Sequence, residues 1–525
     1  MQIRRLPIGV QSFVSMRRDN YVYADKTAYI YKLITGSKQY FLSRPRRFGK
    51  SLFLSTLKAF WEGKKELFDG LQIVEILADN PSAWQNYPVF YFDFNGKNYQ
   101  KETALEEILN DHLSIWETIY GNNGSKEPEE RFKYLLRSAV KQTGLPAVVL
   151  VDEYDKPLLE VMENPRLLEY NKAVYKGFFG VLKSYDEYLH FVFITGVTKF
   201  SQVSIFSDLN QLDDISFNSA YGDICGISKA ELSSVFAPEI NKMATKLGLS
   251  QESCLNLLKK MYDGYHFSPN CDGVYNPFSL LKAFSDLRIG SYWFATGTPT
   301  FLVKRLKETK FDIQRFSGSS LYVDCDKLSD YRTDDPNPLP LLYQTGYLTI
   351  KKYDERRQRY ILGIPNEEVK YGLLQELLYT YTPAVTNSTG IDINALSDCA
   401  ENGDTDGMRD ILTALFAGIP YSSDNATFEH YFATIIYIVF TLLGKYIKCE
   451  VHTAKGRTDA IMETERCIYV FEFKLDKSAA EALEQIETKE YAAQYLTDKR
   501  KLYKIGVNFD SKSRNLTQWE VVTSA

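Results

Sequence analysis

Cysteine is sparse and scattered. The seven in 525 residues (Cys225, Cys254, Cys271, Cys325, Cys399, Cys449 and Cys467) form no C-x-x-C pair, and the five histidines show no ligand spacing. A zinc site or a disulfide framework needs such spacing, so neither is expected. Long apolar runs are missing too. The longest, Phe432 to Leu443, contains Thr434 and Thr441, is too short to span a bilayer and reads as a buried helix. Met1 to Met16 alternates basic and apolar residues without an apolar core, so it is not expected to be a secretion signal. Lysine and arginine (62) are outnumbered by aspartate and glutamate (67), for a net charge of -5. Bulk attraction to nucleic acid is thereby excluded, though a local basic surface is not. A reduced cytoplasm without membrane contact is the simplest setting.

What is present begins with length. A chain of 525 residues, 25% charged and 44% hydrophobic, is too long for one core and has ordinary globular composition, so about three domains are expected. The stretch Arg44-Pro45-Arg46-Arg47-Phe48-Gly49-Lys50-Ser51 follows a short apolar strand (Tyr40 to Leu42) and precedes Leu54, Leu57, Phe60 and Trp61 at helical spacing. A loop between a strand end and a helix N-terminus gathers anions, because unpaired amides and the helix dipole point into it. Lys50 is placed to reach outer phosphates and Ser51 to hold magnesium. Arg44 stands where the usual motif has glycine. A basic surface turn before an amphipathic helix would leave the same trace.

A second signal supports the first. Val148 to Val151 is a continuous apolar run ending in Asp152-Glu153, the pattern of a strand buried on both faces that delivers an acidic pair. Asp152 would hold magnesium through water, and Glu153 would orient or deprotonate the water attacking the terminal phosphate. A solvated pair at a strand end is the alternative. Strands at Val89 to Phe94 and Phe191 to Thr195 alternate with helices, which implies a parallel sheet. At the end of the latter strand, Thr195 and Thr198 are both candidates to sense the terminal phosphate, and either could instead satisfy a turn. Upstream, Asp25-Lys26-Thr27 reads as a helix start with Asp25 as N-cap, or as a segment closing over a nucleotide base.

From Ile227 to about Thr309 the pattern is helical, like a lid following an ATPase core. Leu339 to Thr345 (helix), Tyr347 to Tyr353 and Tyr360 to Ile364 (strands) and Glu367 to Thr380 (helix) suit a winged helix, although a ferredoxin-like or plain α+β insert would read similarly. Arg356, Arg357 and Arg359 at the hairpin tip are phosphate-contact candidates or simply solvated. Thr382 to Gly390 is the preferred linker. A last domain begins near Asn425 with a helix carrying Glu429. Strands follow at Tyr446 to His452, which contains Glu450, at Asp459 to Met462, and at Ile468 to Lys474. In Val470-Phe471-Glu472-Phe473-Lys474 the alternation puts Glu472 and Lys474 on one face. Asp459 on one strand, Glu-x-Lys on its hairpin partner and Gln485 on the next helix form the constellation of a PD-(D/E)XK nuclease, with alternating charges on a solvated strand face as the alternative. Asp459 and Glu472 would bind magnesium, Lys474 would position the attacking water, and Glu429 is an added ligand candidate.

With these residues in view the chain resembles the AAA-ATPase-like proteins that carry a C-terminal PD-(D/E)XK nuclease-like domain. Ordered matches run from Leu6-Pro7-Ile8-Gly9 and Asp25-Lys26-Thr27 through the loop and Asp152-Glu153-Tyr154-Asp155 to Thr195-Gly196-Val197-Thr198 and Phe206 to Asn210. They continue with Tyr262-Asp263-Gly264-Tyr265, Gln344-Thr345-Gly346-Tyr347, Gly456-Arg457-Thr458-Asp459 and Phe471 to Lys474. The Arg44 start is typical of that family. The resemblance implies an α/β chain with a P-loop AAA-type core (1–226), a helical lid with a winged-helix region (227–381), a connection (382–424) and a restriction-endonuclease-like α/β domain (425–525). It implies ATP and Mg2+ as cofactors, with Arg44, Arg47, Phe48, Gly49, Lys50, Ser51, Leu52, Asp152, Thr195 and Thr198 at the nucleotide. Nucleic acid, DNA first, and a homo-oligomer are the expected partners. The leading function is an ATP- and magnesium-dependent nuclease. The alternatives are an ATP-operated regulatory switch whose nuclease fold only binds DNA or a partner, and an ATPase that remodels protein complexes.

Overall fold

Ala147–Asp152 is buried along its whole length, as a strand must be when helices cover both faces of its sheet. In the computed structural model it is β3 of a five-stranded sheet whose pairings are all parallel. Its companions are β1 (Gln39–Ser43), β2 (Val89–Asp93), β4 (Leu189–Gly196) and β5 (Asp213–Asp214), in the order β2-β3-β4-β1-β5. The structure describes the chain apart from residues 1–3, 201–210, 294–299, 318–320, 330–334, 383–392, 418–424, 445–447, 455–456, 496 and 525, and apart from the side chains of 300–301, 317, 425–431, 450, 452–459 and 524. The motif Phe206 to Asn210, Gly456 and the linker beyond Thr382 therefore lie outside the described residues.

Two compact units divide the chain, Met1–Gly297 with Ser319–Glu368 and Thr298–Gly318 with Val369–Ala525. In the first, β4 is inserted between the loop strand β1 and the acidic strand β3, while β2, which precedes β3 in sequence, lies on its outer side. Aromatic packing fixes the layers. Phe92 meets Trp116, Phe132 and Phe178 from three helices, Ala104–Tyr120, Pro128–Thr143 and Pro165–Ser184. Phe193 and Phe191 pack on Phe53 and Trp61 of the helix Lys50–Trp61.

The helices Lys229–Val235, Ala237–Leu247, Gln251–Tyr262 and Pro277–Asp286 share a second core around Phe236, Met243, Leu258 and Phe284, with Leu6, Ile8 and Val22 of the N-terminal segment packed on it. Two short pieces, β6 (Ile227–Ser228) and β7 (Val274–Tyr275), pair at its edge. The expected hairpin is β9 (Thr349–Asp354) and β10 (Arg359–Gly363). A strand without a clear sequence signal, β8 (Leu321–Asp324), adds to its far side in the order β8-β10-β9. Arg357 at the tip pairs with Asp354 at 3.2 Å.

The second unit holds a mixed sheet of β11 (Lys448–Ala454), β12 (Arg457–Glu463), β13 (Cys467–Leu475), β14 (Lys501–Asp510) and β15 (Asn515–Ser524), in that order, with only β13 and β14 parallel. One face carries Phe471, Phe473 and Phe509 against Phe440 and Phe432 of the helix Asn425–Leu443. The other is covered by Ala479–Thr488, a helix started by the Ser478 side chain. Gly506 on β14 lets that helix approach, since a Cβ there would press on the Ala479 carbonyl oxygen and stand 3.0 Å from Leu483 Cγ. Gly506→Ala should lower the unfolding free energy by about 1–3 kcal/mol, as overpacking of a tight contact does. Denaturant unfolding of the full chain measures this, and a change below about 0.5 kcal/mol would show that the helix yields freely.

Candidate functional sites

Loop 44–49 leaves β1 and enters the helix Lys50–Trp61 through Gly49, whose φ of 95° favours a residue without a side chain. Arg47 is also left-handed, with φ 68°. Arg44 is fully buried, and its guanidinium donates to the carbonyl oxygens of Ser43 (2.8 Å), Ser216 (2.8 Å) and Tyr221 (3.0 Å). It also lies over the Phe267 ring at 4.1 Å. Burial draws its pKa down. Engaged this way, Arg44 is a strut that ties the loop to 216–221.

The distant motifs converge here. Phe48 is buried edge-on against Tyr265 (4.7 Å) and Phe267 (5.5 Å), the Arg47 guanidinium sits 4.8 Å from the Phe278 ring, and a Cβ on Gly346 would stand 2.8 Å from that of Pro45.

Lys50 Nζ donates to the carbonyl oxygens of Arg44 (3.0 Å) and Pro45 (3.2 Å) and lies 3.6 Å from Glu153 Oε1. Glu153 has φ 53°, uncommon for a residue with a Cβ. Beside it Asp152 is buried, and its Oδ1 has no hydrogen-bond partner among the described residues. The Tyr91 hydroxyl donates to Oδ2 at 3.4 Å. Burial, then the Glu153 charge, push the Asp152 pKa up to about 7, against the pull of the Ser51 hydroxyl and Lys50. A buried carboxylate oxygen with nothing to accept from, next to a hydroxyl, fits a hard divalent cation such as Mg2+. The two threonines differ. Thr198 donates its hydroxyl to Asp155 at 2.7 Å, while the buried Thr195 hydroxyl has no partner among the described residues.

Next to the loop is an apolar cavity of about 90 Å³, with Phe48, Gly49 and Leu52 on one side and Val22, Ala24 and Leu281 on others. Lys26, which also lines it, pairs with Glu231 at 2.7 Å. Asp25 is not the N-cap expected of it. Thr27 takes that position for the helix Ala28–Ile34, and Asp25 instead accepts from the amides of Thr27 (2.8 Å) and Gln72 (2.8 Å). The Gln72 amide, a tertiary donor, takes one of the two Asp25 oxygens in place of the helix end.

In the second unit, Lys474 Nζ donates to Glu472 Oε1 at 2.8 Å and to Gln485 Oε1. Glu472 is fully buried and Lys474 nearly so. Asp459 stands directly across from Glu472 in the β12–β13 register. Opposed positions on paired strands are neighbours, so the register brings the two acidic positions together. The donor set is all oxygen, which suits magnesium. The side chains of Asp459, Glu450 and Glu429 lie outside the described residues. Glu429 is on the helix Asn425–Leu443.

Comparison with known proteins agrees with this geometry. Residues 7–206 match the family model described as predicted AAA-ATPase, and residues 427–519 match the PD-(D/E)XK nuclease superfamily. The chain is 36% identical over 537 residues to a protein of Azotobacter chroococcum mcd 1 described as an uncharacterized protein in the vnfD 5' region, covering 99% of each chain. The chain belongs to the AAA-ATPase-like family with a C-terminal PD-(D/E)XK nuclease-superfamily domain. Among the described residues of this AAA-ATPase-like chain, no helix is long and apolar enough to cross a membrane.

Sequence reasoning missed Tyr91 and Asp155. For Tyr91 the signal was its place two residues before Asp93, at the end of a strand neighbouring β3. Asp152 carries a pH test. Its folded pKa, about 7, lies above the unfolded value of about 3.9, so the folded state holds an extra proton between them. Its contribution to stability is complete below the unfolded value and is lost as pH rises through about 7. Without nucleotide or magnesium, Asp152→Asn should therefore melt higher than wild type at pH 8, and the gap should close toward pH 4. Equal melting temperatures at pH 8 would mean that burial does not tax this carboxylate.

Proposed function

We propose that the chain is an ATP- and magnesium-dependent enzyme whose loop domain turns over ATP and whose C-terminal sheet cleaves nucleic acid, DNA first. The observation that carries the reading is the convergence of Lys50, Asp152 and Glu153, with Lys50 and Glu153 3.6 Å apart, at a loop that opens a helix. Lys50 takes the outer phosphates, exchanging loop carbonyls for a stronger acceptor. Glu153 orients the attacking water and accepts its proton. Ser51 and Asp152 hold Mg2+, which when bound supplies charge stabilisation for the leaving phosphate. Thr195, with its unengaged hydroxyl, is the better placed of the two threonines to sense the terminal phosphate. The apolar cavity beside Phe48, Gly49 and Leu52 would take the adenine base, which its apolar lining suits. In this scheme residues 1–226 form the ATPase core, 227–381 its lid and hairpin region, 382–424 the connection and 425–525 the nuclease domain. The seven free cysteines support a reducing, cytoplasmic setting.

At the second site Asp459 and Glu472 hold the metal, Lys474 positions the water and offsets the phosphodiester charge, and Gln485 fixes Lys474. Purified protein with labelled DNA and RNA, with Mg2+ or Mn2+, and with or without ATP, tests the whole reading. Lys50→Ala should lose nucleotide binding, whereas Glu153→Gln should bind ATP and fail to release phosphate. Glu472→Gln and Lys474→Ala should each abolish metal-dependent cleavage by about a hundredfold or more while nucleic-acid binding persists. A wild-type chain that binds nucleic acid and hydrolyses ATP but cuts nothing would hand the second site to the regulatory-switch reading.

A further inference from the structure

Asp155 is fully buried and has no part in the nucleotide chemistry above. Its carboxylate accepts from the Val197 amide (3.1 Å to each oxygen), the Thr198 amide (2.7 Å) and the Thr198 hydroxyl (2.7 Å). These partners are neutral. Burying a carboxylate among neutral donors is costly, so the site must gain something from the anion. Tyr154, equally buried, serves the same join. Its hydroxyl donates to the Thr198 carbonyl (2.8 Å) and accepts from the Phe200 amide (3.1 Å), while its amide donates to the Thr195 carbonyl (3.1 Å). Gly196 completes the fit, since a Cβ there would press on the Asp155 carboxylate and the Tyr154 ring. The turn after β3 is thus fastened to the turn after β4.

Glu153 sits inside the fastened turn with φ 53°, a conformation that a residue with a Cβ holds only when its surroundings impose it. From that conformation its carboxylate reaches to 3.6 Å from Lys50 Nζ. We propose that Asp155 is a positioning residue for ATP turnover: clamped onto the turn after β4, it holds Glu153 in the backbone conformation that faces Lys50. The inference rests on the reading of this loop as an ATP site. The join also continues outward, because the Lys199 amide donates to Gln344 Oε1 (3.0 Å) and Gln344 Nε2 donates to the carbonyls of Leu328 (3.1 Å) and Ser329 (3.0 Å). The hydrogen-bonded chain thus runs from the fastened turn to the segments that follow β8 and precede β9.

Asp155 touches neither the loop nor the cavity through its named bonds, so it should govern turnover and leave affinity alone. Asp155→Asn puts an amide N–H2 against N–H donors, and Tyr154→Phe removes only a hydroxyl. Each variant in the full chain is compared with wild type by thermal melting, by affinity for a fluorescent ATP analogue with magnesium, and by phosphate release at saturating ATP. Asp155→Asn should keep its affinity within about threefold and lose about tenfold or more in kcat, and Tyr154→Phe should lose about threefold in kcat at unchanged affinity. Turnover within about twofold of wild type in both, or affinity falling as far as kcat, would overturn the proposal. Should Asp155→Asn fail to fold, Tyr154→Phe decides by the same criteria. A wild-type chain that binds the analogue and releases no phosphate would instead sink the ATPase reading, and this inference with it, before any substitution is made.

Discussion

Loop 44–49, between β1 and the helix Lys50–Trp61, is held in place by one buried cation, the guanidinium of Arg44. Three carbonyl oxygens, of Ser43, Ser216 and Tyr221, accept from it, and the Phe267 ring covers it. Where a glycine would give freedom, this chain has a brace. Removing it would leave those carbonyls short of a buried donor, which is expensive in a low-dielectric interior. The aromatic cradle of Phe48 against Tyr265 and Phe267 carries the same restraint one turn further. Motifs from three distant stretches therefore serve one loop. Their recurrence in the family resemblance has a mechanical reason as well as a chemical one.

How much of this could be read from sequence follows from the range of the interactions. Local patterns were legible. The apolar run into Asp152, the helical spacing after Ser51 and the alternation Phe471-Glu472-Phe473-Lys474 all appear as β3, the helix Lys50–Trp61 and β13. What sequence could not show was lateral order. Nothing local says that β4 enters between β1 and β3, because a parallel neighbour is chosen by crossover packing. β8, four residues long, is defined only by β10. β14 was readable in principle, since Ile505, Val507 and Phe509 alternate; its Gly506 then proves to be where a helix lands.

The acidic residues make the same point. Asp25 has the composition of an N-cap but is claimed by the Thr27 and Gln72 amides, so a tertiary donor overrode a local preference. Thr195 and Thr198 are chemically alike and three positions apart. Only the location of Asp155, more than forty residues upstream of Thr198 in the chain, separates them by occupying one hydroxyl. Side-chain identity at a strand end names candidates, and the neighbouring turn assigns the roles.

Both sites of this chain bury a lysine beside a glutamate, Lys50 with Glu153 and Lys474 with Glu472. The likeness has a physical cause. A site meant for a phosphate oxyanion needs a cation, and one meant for water or metal needs a carboxylate. In a buried site neither charge is tolerable without the other until the ligand comes. Pairing them gives each buried charge a counter-charge within the fold. The contact is longer at Lys50, 3.6 Å, than at Lys474, 2.8 Å. Lys50 shares its protons with two loop carbonyls as well, so backbone steadies it, whereas Lys474 is held from a second side by the Gln485 side chain.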